Sequence, residues 1–140
     1  MNRRRRTEIL IKGRKEVAKN LANEVEEKYD VNIVEEPNNG LTMIKIRESV
    51  KKSLFYIGEI LVAEAKVSIN GNLGIGIVSG DNHELAYSLA VIDAAYNANL
   101  CEIEGWEVVL LEEEKLIKED EEKLKSRILM TRVNFETMDV

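Results

Sequence analysis

Cysteine and histidine are almost missing: Cys101 and His83 are the only residues of their kinds in the 140-residue chain. No internal disulfide can form and no cysteine pair exists for a zinc site. His–Cys nucleophile chemistry would require those two side chains to meet in space. A lone cysteine near a helix end is ordinarily a small buried hydrophobe, and Cys101 is expected to be one. Apolar runs are short as well. Ile60-Leu61-Val62-Ala63 is stopped by Glu64, far below the roughly 20 apolar residues of a membrane-spanning helix, so a soluble protein with no membrane partner is expected. Arg3 to Arg6 are followed by Thr7-Glu8 and Gly13-Arg14-Lys15-Glu16. No apolar h-region of a secretory signal follows them, and a cytoplasmic location is expected. P-loop, G-x-S-x-G, H-E-x-x-H and C-x-x-C motifs are absent too.

What is present is a core-forming composition with an uneven charge. Hydrophobic residues make up 44% of the chain and the net charge is −6, which suits one domain over residues 1–140 and argues against nucleic acid as the main partner. Arg3 to Arg6, Arg14 and Lys15 make the start basic, whereas Glu112 to Glu114 and Glu119 to Glu122 make a later stretch acidic. Both read as solvated helix faces: the arginines as a first helical turn, the glutamates as the outside of a later helix.

Periodicity predicts the element order. Ile9, Leu10, Val17, Leu21 and Val25 recur at helical spacing from Arg5 to Tyr29, with Gly13 as a break between two helices. Val31 and Ile33 read as a short strand ended by a turn at Pro37-Asn38-Asn39-Gly40, and Leu41 to Arg47 as a second strand. Leu54 to Ile69 is strand-like, with Leu61, Ala63, Ala65, Val67 and Ile69 on one face and Glu64, Lys66 and Ser68 on the other. Asn70-Gly71-Asn72 is a hairpin turn into a strand over Leu73 to Ser79. A helix follows, capped by Asp81 or Asn82, with Leu85, Leu89, Ile92 and Tyr96 on one face and Ala86, Ala90, Ala94 and Ala98 on a narrow neighbouring one. A last helix is expected over about 106–128, with Val109, Leu116 and Leu124 inward, and then an extended arm over "TRVNFETM", Thr131 to Met138. The predicted fold is α+β: an antiparallel sheet of about four strands, helices packed on it, and an extended C-terminal arm.

Gly74, Gly76 and Gly80 stand at G-x-G-x-x-x-G spacing ahead of that capped helix. A dinucleotide-binding fingerprint needs its glycines in the strand-to-helix turn, whereas Gly74 and Gly76 fall within the strand and alternate with Ile75 and Ile77. Their missing side chains would let a helix or another chain's backbone come close. Gly80, Asn82 and His83 remain a candidate anion site, with Asp81 as a repelling neighbour. Asp81 and His83 could form an acid–base pair, but residues at a helix start are more often caps. Nothing in the chain forms a convincing catalytic or metal-binding constellation.

The segments Phe55-Tyr56-Ile57-Gly58-Glu59, "VAEAKVSINGNLGIGIVSGDN", "AYSLAVIDAAYN" and "TRVNFETM", with the "NNGL" turn at Asn38 to Leu41, together resemble the G subunit of the bacterial carbon-phosphorus lyase core complex over essentially the whole chain. The resemblance implies a role in phosphonate assimilation. In that family the G, H and I subunits, with the L subunit, support transfer of a phosphonate to the anomeric carbon of the ribose of ATP, displacing adenine; the J subunit later cleaves the carbon–phosphorus bond. The nucleosidase-like chemistry is attributed to the I subunit. The implied role here is therefore an accessory one, with no cofactor on this chain, ATP and a phosphonate as substrates of the complex, and H, I, J and L subunits as partners. Self-association of the isolated chain is a further expectation. Gly74, Gly76, Arg132, Val133, Phe135 and Met138 are the expected contact residues between subunits. The competing readings are a free-standing enzyme using Asp81, His83 and Cys101, and a small phosphate- or nucleotide-binding module using Gly80 to Asn82 and the N-terminal arginines.

Overall fold

The Asn2 side chain accepts the N–H of Arg5 at 2.8 Å and starts the first helix, satisfying one of the amides a helix leaves open at its N-terminus. In the computed structural model, which describes the backbone of residues 1–138 and the side chains of residues 1–132, α1 (Arg3–Lys12) turns at Gly13 into α2 (Lys15–Lys28). Three strands follow, β1 (Asn32–Arg47), β2 (Leu54–Ile69) and β3 (Asn72–Ser79), then α3 (His83–Asn97) and α4 (Ile103–Met138). The sheet is antiparallel in the order β1-β2-β3. The α+β class is as expected, with three strands in place of about four.

The missing fourth strand is explained at Pro37. Pro37 to Gly40 does not turn the chain; β1 runs through it as one strand with register shifts between Ile33 and Glu35 and between Glu35 and Asn38. An edge strand tolerates a residue without an N–H, and a bulge leaves that residue outside the ladder. The hairpin at Asn70-Gly71 is as expected, with φ of 51° at Asn70 and 80° at Gly71. β3 is shorter than its neighbours and pairs only with Val62 to Ile69 of β2. Leu54 to Leu61 therefore pair with β1 alone, as a two-stranded ribbon that runs beyond the three-stranded part.

Ala63, Ala65, Val67, Ile69 and Val78 on one sheet face meet the apolar side of α3, and Ala18, Leu21, Ala22 and Val25 of α2 close over that helix. Ten of the fifteen residues of α3 are buried, so it is the central element. α4 enters the core through Trp106 and Leu110. Its inward side carries Trp106, Leu110 and Glu113, whereas Val109, Leu116 and Leu124 are exposed, so the expected inward face is displaced. The true face includes a carboxylate, and an apolar-only pattern passes over it.

The C-terminal arm is helical. Thr131 to Met138 continue α4, which at 36 residues extends about 54 Å at 1.5 Å per residue. Four alternating residues are too short a run to decide against helix, and an existing helix elongates with no further nucleation cost. The Thr131 hydroxyl donates to the Arg127 carbonyl four residues back, at 3.0 Å.

Candidate functional site

A single acidic residue, Asp93, interrupts the apolar run "LAVIDAAY" of α3 and organises a buried polar centre. Its Oδ1 accepts from Arg6 Nη2 at 2.8 Å and Arg3 Nε at 3.1 Å, and its Oδ2 accepts the backbone N–H of Ile75 at 3.0 Å. Arg6 is buried and lies 4.0 Å over the ring of Tyr96, an arrangement that holds a guanidinium by both charge and π-face. Desolvation lowers the Arg6 pKa while Asp93 opposes that effect. The expected solvated turn of arginines is thus corrected: Arg6 points inward because α3 supplies a counter-charge. Every buried polar side-chain atom among the described residues is hydrogen-bonded, and this centre ties α1, α3 and β3 together.

A second internal tie closes the α1–α2 corner. Buried Glu113 of α4 accepts the Arg14 N–H at 2.9 Å and Arg14 Nη2 at 2.9 Å, which holds its carboxyl below the usual range. Arg5 adds a bond to Glu114 at 2.6 Å, and Trp106 Nε1 donates to Glu24 at 3.0 Å. Burial, with a bond to Glu26, pushes the Tyr87 phenol up to about 12, so it stays protonated at neutral pH.

The residues singled out in the sequence are distributed around this frame. Gly74 and Gly76 lie buried beneath α3. A Cβ on Gly74 would meet the Ala90 carbonyl, and one on Gly76 the Ala86 carbonyl. The face expected to admit another subunit is filled by the chain's own helix, brought close by the alanine stripe. Gly80 has a φ of 94° and donates its N–H to Leu61 at 2.8 Å. Asn82 caps α3 by accepting the Leu85 N–H at 3.1 Å. His83 Nε2 lies 2.7 Å from Asn39 Oδ1 and 3.4 Å from Asp81. His83 and Cys101 sit at opposite ends of α3, whose 15 residues span about 22 Å; they cannot act together. Cys101 is exposed, contrary to expectation, because it lies in the turn after α3. Arg132 lies on exposed helix, and the side chains of Val133, Phe135 and Met138 lie outside the described residues.

Exposed apolar side chains gather on the ribbon and on α4. Leu41, Met43 and Ile46 of β1 and Phe55, Tyr56, Ile57, Ile60 and Leu61 of β2 are all exposed. On α4, Leu124 and Ile128 carry the helix face of Trp106, Leu110, Glu113 and Ile117 past the body into solvent. The model of one protein family, described as phosphonate metabolism protein PhnG, matches residues 1–139. The chain belongs to the PhnG family. That membership gives it a role in phosphonate metabolism. No curated protein matches the chain.

In this PhnG-family chain the residues that sequence reasoning missed are Asp93, Glu113 and the ribbon. A lone Asp inside an otherwise apolar helix face was the available signal for the first, since such a residue persists only when partnered. Glu113 lacked one, being embedded in "LLEEEK" between exposed Glu112 and half-buried Glu114. For the ribbon, the unequal lengths of the expected strands were the signal: the strand before the Asn-Gly turn is twice as long as the one after it.

Proposed function

We propose that this chain is a non-catalytic accessory subunit of a carbon-phosphorus lyase core complex. In this reading it supports the formation of α-D-ribose 1-methylphosphonate 5-triphosphate from ATP and a phosphonate, by docking the H, I and J subunits and the associated L subunit. Family membership supports the phosphonate role. The observation that carries the accessory role is the ribbon. An isolated two-stranded hairpin is marginal in water, and this one exposes apolar side chains that include Leu41, Met43, Phe55 and Tyr56. Surfaces of that kind mark interaction sites. The polar clusters of the body support the same reading from the other direction: Asp93, Arg6, Glu113 and Arg14 are bonded to one another's elements, as structural groups are.

The test is co-expression of the tagged chain with the H, I and J subunits, followed by pull-down and native mass spectrometry. A stoichiometric complex is expected, lost when Phe55 and Ile57 are both replaced by Ser and weakened when residues 124–140 are removed. Phe135→Ala should weaken assembly in the same assay. A chain that purifies alone whatever is co-expressed would sink the proposal.

A further inference from the structure

The outer edge of β3 is only partly closed. Gly80 donates its N–H to Leu61 of β2, so the even-numbered residues of β3 turn their backbone groups toward β2 and the odd-numbered ones turn theirs away. Two of the outward groups are taken by α3. The Leu73 carbonyl accepts from Asn97 Nδ2 at 2.7 Å, and the Ile75 N–H donates to Asp93 at 3.0 Å. The next rung, the carbonyl of Ile75 with the N–H and carbonyl of Ile77, has no hydrogen-bond partner among the described residues.

Beside that rung lies a groove of about 640 Å³ between β3 and α1, lined by Leu89 and Ile92 of α3 and by Leu10 and Ile11 of α1. Arg3, Arg4 and Lys12 also line it, with Glu8 and Asp93 as the acidic residues. Lys12 is held by Glu8 at 2.9 Å and Arg3 lies on Asp93. Exposed Arg4 makes no hydrogen bond or ion pair among the described residues. The lining is thus positive in a chain whose net charge is −6.

We propose that this groove takes an extended acidic segment of another polypeptide, which adds a strand to the edge of β3. Each part of the occupant's chemistry answers one feature. The unpaired rung at Ile77 requires backbone in extended form, as in other strand-addition sites. The apolar lining takes the side chains on one face of that strand. Arg4 and Arg3 line the same groove, and the long-range attraction of their charges favours an acidic segment over a basic one. The site is separate from the ribbon, because β3 never reaches Leu54 to Leu61 of β2, and it goes beyond the role assigned to the ribbon.

The probe is a labelled decapeptide alternating valine with glutamate, compared with one alternating valine with lysine. Anisotropy against the full chain reads binding, and amide hydrogen exchange reads strand addition. The glutamate peptide is expected to bind at least tenfold more tightly than the lysine peptide and to protect the Ile77 amide. Ile77→Pro, tolerable on an edge strand, should abolish that binding. Arg4→Glu, on an exposed first turn, should cut it about tenfold and carries the test by itself if the proline variant does not fold. Failure of the glutamate peptide to bind, equal binding of the two peptides, an unprotected Ile77 amide, or unchanged affinity in Arg4→Glu would each overturn the proposal. A chain that captures the peptide but enters no complex would keep this inference and remove the accessory-subunit reading.

Discussion

Replacing Gly76 with Ala should unseat the central helix. A Cβ there would overlap the Ala86 carbonyl and come within 2.6 Å of the Ala90 amide nitrogen and 3.0 Å of the Leu89 Cβ. Two of these three atoms are helix backbone, so no rotamer change relieves the clash. α3 must lift by about an ångström or more to restore ordinary contact, and the bond between the Ile75 N–H and Asp93, now 3.0 Å, must lengthen with it. Overpacking a tight core costs about 1–3 kcal/mol, and a disturbed hydrogen bond to a charged group about 1.5–3 more. The sum, about 2.5–6 kcal/mol, is a large part of the roughly 5–15 kcal/mol that holds a domain together. Urea unfolding followed by circular dichroism measures it. With a slope of about 1–3 kcal/mol per molar urea, the midpoint should fall by at least about 1 M. Gly58→Ala is the control, since a Cβ at Gly58 meets nothing within 4 Å. Equal midpoints for the two variants would refute the argument that α3 rests on these glycines.

Further expectations concern the two internal ties and one open glycine. Asp93→Ala strands the buried Arg6 guanidinium and should cost about 3–5 kcal/mol; a loss below about 1 kcal/mol in the same urea experiment would remove Asp93 from its organising role. Glu113 has a folded-state pKa lowered chiefly by its Arg14 hydrogen bond. Its contribution should therefore be complete above the unfolded value of about 4.3 and fade as pH falls through the lower folded value. Thermal melts of wild type and Glu113→Gln between about pH 6 and about pH 3 should converge toward the acid end, and a constant gap across that range would contradict the assignment. Gly105→Ala, in α4 with no atom within 4 Å of the added Cβ, should stabilise by about 0.5–1 kcal/mol, read as a raised melting temperature.

How much of this was legible in the sequence depends on the range of the interactions involved. The alternation up to Ile69, which holds from Ala63 onward while Leu61 is exposed, the Asn70-Gly71 turn and the broken N-terminal helix are local signals that appear where they were expected. The close approach at Gly74 and Gly76 was legible as well, but its occupant was not: spacing says that something comes near, while topology says it is α3. Arg6 and Glu113 escaped because their burial depends on Asp93 and Arg14, 87 and 99 residues away in the chain. The extended form assigned to Thr131 to Met138 failed for the opposite reason, since a short local pattern yielded to a helix already under way. Among the candidate-site residues, Asn82 caps α3 as its place at the helix start implied. The open rung at Ile77 depends on which strand lies beside β3, and single-sequence patterning carries no such information.

On the role proposed for it, the ribbon also links the fate of a single copy to the supply of its partners. Pairing with one neighbour only, Leu54 to Leu61 belong to the least protected part of the fold, where local opening is cheapest. A partner that covers them removes that opening by mass action. Copies made in excess keep the ribbon bare and are open to proteolysis in proportion to how often it separates. On the docking role proposed above, the apolar residues that fit the chain for assembly also shorten the lifetime of the unassembled copy.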